Sequence, residues 1–358
     1  MPRLIPTIPT MSLGHGAAGH SMPDKLRAAA EAGFKGIEVF YACLEHFSQS
    51  QEPTSLTPRD KLRAAAKETK RIADELGLEL MCFQPLLDYA GIKDKREHAA
   101  RLEDAIFRFE LCDLLGCTIM QIPANFRLDN GVSGAEEDVV RDLRELADAG
   151  LRHNPPIRFA YEPMCWSTYE WTWQQGWNII QKVDRPNFGT VLDAFHLAGY
   201  EYADPTIPGS IRPDGAARLA ASLAEFVKTV DVSKVWYLQL ADAERLDLPL
   251  LPLGTPSPAE EERGKSFCEY HVDGQQPCMT WSRNCRLFPK ETERGAYLPV
   301  LECYKAFLEL GFEGYVSLEL FTRYMNDPSP SIPQEHAQRG WQSWERLQKK
   351  LKTYVEQE

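Results

Sequence analysis

Residues 158–162 read RFAYE and residues 187–193 read NFGTVLD. Within them 158–161 and 188–192 are short apolar or β-branched runs that each suit one strand, and each is followed by a carboxylate. Between them, residues 171–183 carry an amphipathic helical pattern, so the pair reads as strand, helix, strand. Working outward, the same alternation recurs. Further strand candidates are 4–13, 36–40, 79–84, 118–122, 235–240 and 315–320. Amphipathic stretches separate or follow them at 23–32, 58–76, 96–115, 136–154, 214–230, 299–310 and 333–353. Ser21 ahead of Pro23 and Thr57 ahead of Pro58 are helix-start signals, a capping hydroxyl followed by a proline that a first turn tolerates. Gly33, Gly77, Gly116 and Gly311 stand where helices should stop. Eight βα units in strict alternation predict an α/β fold, the (β/α)8 TIM barrel.

One connection is out of proportion. Residues 241–296, rich in Pro, Gly and charge, separate the seventh strand from its helix and are expected to form a long loop insertion with a functional or lid role. At about 150 residues per domain the length would allow two, but no composition shift marks a boundary. Residues 1–358 are therefore expected to form a single barrel domain.

Forty Lys and Arg against 52 Asp and Glu give a formal net charge of −12. Such a surface repels phosphate backbones, so nucleic acid is not an expected partner. No stretch approaches the roughly 18 consecutive apolar residues of a membrane span. The start MPRLIPTIPT lacks the apolar core of a signal peptide, so no membrane partner and a cytoplasmic location are expected. Nine cysteines at scattered spacings read as reduced thiols.

Chemistry on this fold gathers at the C-terminal ends of the strands. The last four strands deliver Glu162, Asp193, Gln239 and Glu319 there. Any one of these is readily explained as a polar loop residue; four on adjacent strands are not. Three carboxylates converging in a partly buried mouth repel one another, and a divalent cation removes the conflict. Oxygen-only ligands suit a hard ion, Mg²⁺ or Mn²⁺, better than Zn²⁺, with Co²⁺ also admitted. His196, three residues after Asp193, is a candidate base because imidazole titrates near neutrality. The run WSRNCRLF carries Ser282, Arg283 and Arg286. Its arginines either bond loop carboxylates or recognise an anionic substrate, since a guanidinium grips a carboxylate with two parallel hydrogen bonds.

Two rival signals are weaker. Gly14-His15-Gly16-Ala17-Ala18-Gly19 matches G-x-G-x-x-G, with Glu38 near the place of a ribose-binding acid. The third glycine should lie inside the helix it opens, yet Ser21 and Pro23 mark a helix that begins only afterwards, so these glycines read as a βα loop. Cys268, His271, Cys278 and Cys285 match no common zinc spacing. Trp166, Trp171, Trp173 and Trp177 read as core and loop packing.

The runs MSLGHGAAGHS, KGIEVFY, QIPANF, PPIRFAYEPMCWST, VDRPNFGTVLDAFH, DVSKVWYLQLADAERL, WSRNCRLF, ETERGAYLPV and FEGYVSLELF resemble the fungal 3-dehydroshikimate dehydratases of quinate catabolism, within the xylose-isomerase-like TIM barrels. The likeness spans about residues 10–344, and the composite is specific where a single run would be weak. It implies a metal-dependent hydro-lyase that removes water from 3-dehydroshikimate to give protocatechuate (3,4-dihydroxybenzoate). The implied metal ligands are Glu162, Asp193, Gln239 and Glu319; the implied base is His196; Ser282 and Arg286 would meet the substrate, with Arg283 and Tyr89 as further pocket candidates. Some relatives place a histidine base two residues after the first metal glutamate, where this chain has Met164. Tyr89 or a ligating glutamate, Glu162 or Glu319, is the alternative base. The dioxygenase-like C-terminal extension of certain bacterial relatives is not expected here. The small-molecule substrate is the expected partner, and a homo-oligomer is compatible with the sequence. The main alternative is a metal-dependent ketose epimerase or isomerase, which usually has histidine where this chain has Gln239 and has little use for paired arginines.

Overall fold

Residues 3–355 are described by a computed structural model. Eight parallel strands close into a barrel: β1 (Leu4–Pro9), β2 (Gly36–Phe40), β3 (Glu79–Gln84), β4 (Ile119–Pro123), β5 (Arg158–Glu162), β6 (Phe188–Asp193), β7 (Val235–Leu240) and β8 (Gly314–Leu318), with β8 hydrogen-bonded back to β1. Around them run α1 (Met22–Ala32), α2 (Tyr41–Ser48), α3 (Pro58–Glu75), α4 (Lys95–Leu115), α5 (Glu136–Arg152), α6 (Trp173–Val183), α7 (Ala194–Glu201), α8 (Gly215–Thr229), α9 (Pro277–Cys285), α10 (Val300–Glu309) and α11 (Ile332–Val355). Among the described residues no helix is long and apolar enough to cross a membrane.

The start signals act as read. Ser21 and Thr57 accept hydrogen bonds from the backbone N–H of Asp24 and Asp60, satisfying donors that the first turn leaves free. Gly33 closes α1 at φ +116, a left-handed conformation that a side chain would strain. The Gly14–Gly19 segment forms a short 3-10 turn at Gly16–Ala18, ahead of α1, as expected of a loop.

Three helices depart from the sequence reading. α2, α7 and α9 are eight or nine residues long and follow strand ends directly or sit in the long connection. α7 is buried over most of its surface, so it lacks the apolar stripe that betrays a surface helix. The first strand stops at Pro9, short of residue 13, and the last stops at Leu318, which leaves Glu319 just beyond it.

Residues 241–296 are not one irregular loop. Asp242–Ala243 pair antiparallel with Arg286–Leu287, and α9 precedes that ladder. Asp242 pins both ends of the segment: its buried carboxylate accepts from the backbone N–H of Ala243 at 2.9 Å, Tyr297 at 2.9 Å, Leu298 at 2.7 Å and Lys290 at 3.4 Å. Removing it would orphan several buried donors at once. Asp242→Ala is expected to cost about 2–3 kcal/mol in urea unfolding; an unchanged midpoint would show that the segment is held otherwise.

Candidate active site

Strand interiors alternate direction, so residues two apart share the barrel axis. Cys82 on β3 meets the Tyr237 hydroxyl on β7 across the barrel at 3.8 Å. Two residues further along those strands stand Gln84 and Gln239. With them, seven strands each bring one carboxylate or amide to the centre: Glu38 (β2), Gln84 (β3), Gln121 (β4), Glu162 (β5), Asp193 (β6), Gln239 (β7) and Glu319 just past β8, all buried. Register holds neighbours level, Asp193 beside Gln239 and Pro123 beside Glu162.

The amides donate to the acids. Gln84 Nε2 donates to Glu38 Oε2 at 2.7 Å and reaches Glu319 Oε1 at 3.5 Å. Gln239 Nε2 donates to Glu319 Oε1 at 3.0 Å and to Glu38 Oε2 at 3.1 Å, and Gln121 Nε2 donates to Glu162. The oxygens of Gln121 and Gln239 are buried with no donor in reach.

Arg286, returned to the barrel by the short antiparallel ladder, supplies the positive charge. Its Nη1 donates to Asp193 Oδ2 at 2.8 Å and Glu319 Oε2 at 2.7 Å, and its Nε to Ser282 Oγ at 3.1 Å. Its guanidinium also lies 4.1 Å from the Phe195 ring centroid. Nη2 stands 3.1 Å from His196 Nε2. A guanidinium has only donors, so Nε2 offers it a lone pair, while the backbone N–H of Cys165 donates to Nδ1 at 3.3 Å and Cys165 Sγ lies 3.5 Å away, so donors face both ring nitrogens. Burial, with Arg286 adding to it, pushes the His196 pKa well below 6.5 and keeps the ring neutral.

Four buried carboxylates share one guanidinium, and their pKa values rise accordingly. Burial lifts Glu38 to about 7 and Glu319 to about 8, in the second case against the pull of Arg286. Burial and the neighbouring Glu319 and Asp193 carry Glu162 well above the usual carboxylate range, and burial raises Asp193.

Gln84, Gln121, Glu162, His196, Arg286 and Glu319 line a cavity of about 530 Å³ walled by Phe40, Phe126, Trp166 and Phe321, and Asp193 and Gln239 join it through their bonds to Arg286 and Glu319. Of the sequence candidates, Glu162, Asp193, Gln239, Glu319, His196, Ser282 and Arg286 come together, and Arg283 sits on the same cavity wall, 5.9 Å and 5.8 Å from the Phe126 and Trp166 ring centroids. Tyr89 does not join them. It packs against His98, and its buried hydroxyl has no partner. Arg286, expected at the substrate, lines the cavity and is also bonded to two of the expected metal ligands, Asp193 and Glu319. Glu38, Gln84 and Gln121 were not read as site residues. Glu38 attracted notice only through the glycine motif, and a single glutamine inside an apolar run carries no periodic signal.

The sequence model of the xylose isomerase-like TIM barrels matches residues 26–342. The chain belongs to that family. Within it, the chain is 46% identical to the 3-dehydroshikimate dehydratase of Neurospora crassa, over 98% of this chain and 95% of that one. It is 28% identical to the 3-dehydroshikimate dehydratase of Pseudomonas aeruginosa, over 94% of this chain but 42% of the longer bacterial protein. A solved fusion of a xylose isomerase-like barrel with a 4-hydroxyphenylpyruvate dioxygenase aligns with 99% of this chain and 44% of its own, at TM-score 0.71 and 24% identity.

Family membership and this acid cluster together suggest a divalent metal, and the residues fit one. Glu162, Asp193 and His196 present ligand atoms within 4.8 Å of one another. The buried, donorless oxygen of Gln239 is a further neutral donor of the kind a cation takes.

The raised carboxylate pKa values fix a pH dependence. Above pH 6.5 His196 is neutral in both folded and unfolded chains, so it drops out. From there to about pH 8 the folded chain still holds protons on Glu319 and its neighbours that the unfolded chain, with glutamate near 4.5, has lost. Stability contributed by these groups therefore falls as pH rises through that window. Chelator-treated protein is expected to melt lower at pH 8 than at pH 6.5, and Mn²⁺ to raise the melting temperature more at pH 8. Equal melting at both pH values and no response to Mn²⁺ would contradict this account of the cluster.

Proposed function

We propose that this chain is a 3-dehydroshikimate dehydratase, a hydro-lyase that converts 3-dehydroshikimate to protocatechuate and water. The observation that carries this reading is the near full-length 46% identity to the Neurospora crassa enzyme. The site supplies the means: a neutral imidazole set beside acidic side chains in a cavity whose wall carries Arg283, an arginine with no carboxylate partner among the described residues.

Glu162, Asp193, Gln239 and Glu319 would hold one divalent cation, Mg²⁺ or Mn²⁺ by their oxygen donors. Bound there, it would supply Lewis acidity to the substrate ketone, making the neighbouring C–H easier to ionise. His196 Nε2 removes the proton from C4. The imidazolium so formed is flanked by Asp193 Oδ2 at 3.5 Å and Glu162 Oε1 at 3.7 Å, which stabilise its charge. Burial and Arg286 make it a strong acid, able to pass the proton to the hydroxyl leaving from C5. One proton and one hydroxide depart as water, and enolisation of the remaining ring ketone gives the catechol.

For the substrate carboxylate, Arg283 is the better anchor. Arg108 lines the same cavity but is committed to Asp104 and the Pro85 carbonyl, both at 2.8 Å. Among the described residues Arg283 has no carboxylate partner. Ser282 accepts from Arg286 and keeps its own O–H to donate. Arg286 holds the acids and the base in place. The nine cysteines, all unpaired, support a reducing, cytoplasmic setting.

Purified protein supplied with Mn²⁺ and 3-dehydroshikimate is expected to generate catechol-type ultraviolet absorbance; its absence under all metals tried would reject the activity. His196→Ala should lower kcat by about 10²–10⁴-fold while Mn²⁺ stays bound. An unaffected rate would move the base to a ligating glutamate. Arg283→Ala should raise KM by about 10-fold with a smaller change in kcat; an unchanged KM would return the anchor to Arg286.

A further inference from the structure

Glu38 is the acid of the barrel centre that the proposed ligand set leaves out. It lies on β2, wholly buried, and among the described residues no lysine, arginine or histidine pairs with it. Its closest side-chain partners are amides, with the hydroxyls of Ser317 and Tyr237 also acting on it. Oε2 accepts from Gln84 Nε2 at 2.7 Å and Gln239 Nε2 at 3.1 Å, and Oε1 lies 3.3 Å from the same Gln239 nitrogen.

A glutamine amide is ambivalent: its two ends have nearly the same shape, and one donates while the other accepts. At a cation site only the oxygen end is useful, since an NH₂ turned toward the ion sets positive against positive. Glu38 Oε2 meets amide nitrogens of both Gln84 and Gln239, so at these contacts it acts as the acceptor. Glu38 therefore takes the nitrogen end of Gln239 and leaves its oxygen turned away, buried without a donor. Glu319 also accepts from that nitrogen, at 3.0 Å, but Glu319 is itself a proposed ligand. Glu38 is the acceptor that remains when Glu319 is engaged. Gln84 bonds the same Glu38 oxygen and holds the carboxylate in place.

We propose that Glu38 is a positioning residue: it fixes the amide of Gln239 nitrogen-first, and so makes the oxygen the end that strand β7 offers to a divalent cation. This rests on the reading of Gln239 as a ligand given above.

The test is a Mn²⁺ titration by calorimetry on substrate-free protein, with circular dichroism to confirm folding. Two amide nitrogens converge on Glu38, and Glu38→Gln answers them with one acceptor and one donor, so Gln239 is no longer held. E38Q is expected to bind Mn²⁺ about 10–100-fold more weakly, the usual effect of losing a group that orients a ligand. Gln239→Glu alone sets a further carboxylate against Glu38 and should also weaken binding. The double variant E38Q/Q239E exchanges donor and acceptor across the barrel and should recover about 10-fold or more of the loss, a non-additivity that independent roles would not give. E38Q binding like the unmodified protein, or a double variant no tighter than the weaker single one, overturns the inference. If the double variant does not fold, Glu38→Asp, which keeps an acceptor, must bind Mn²⁺ more tightly than E38Q; if it does not, the inference falls. Unmodified protein that binds no Mn²⁺ would instead sink the ligand reading itself.

Discussion

Four carboxylates held away from water around one guanidinium are the constraint to which the rest of this molecule answers. In water, Glu38, Glu162, Asp193 and Glu319 would cost nothing to ionise at neutral pH. At the barrel centre each charge loses its hydration and meets the others, and Arg286 bonds only two of the four. The fold meets that demand in three ways: amide donors from β3, β4 and β7, protons kept to higher pH, and a donor set suited to a divalent ion. The same crowding that makes the site costly makes it reactive. Burial and the nearby Arg286 suppress the charge of His196, which lines the cavity with Glu162 and Glu319.

The barrel was legible because its signals are local and repeated. Strand boundaries at 36–40, 79–84 and 235–240 coincide with the observed elements, and the caps at Ser21 and Thr57 act by a mechanism visible in three or four residues. Helices α2, α7 and α9 were not, since each is short and two begin where a strand has just ended. A buried helix such as α7 has no polar face to set a period. Glu319 was read as part of a strand and lies one residue past it, which leaves its direction toward the barrel mouth unchanged.

The site was half legible for a related reason. Glu162, Asp193, Gln239 and Glu319 could be picked out because each closes or nearly closes a strand. Gln84 and Gln121 do the complementary work of neutral donors, but an amide among apolar residues looks like ordinary strand variation until its carboxylate partner on the neighbouring strand is known. Sequence proximity to Ser282 suggests one anion-binding unit, and the two residues do meet on the cavity wall, but no sequence signal shows that Arg286 also bonds Asp193 and Glu319. Arg283, three residues earlier, stands on the cavity wall with no carboxylate partner among the described residues.

Arg286 also lies far down the chain from the acids it answers. Strands β2, β5, β6 and β7 are all synthesised before it, and only β8 with Glu319 comes later. Left in water, those acids ionise without a partner, so what waits for Arg286 and β8 is the closing of the barrel centre, which the last fifth of the chain completes.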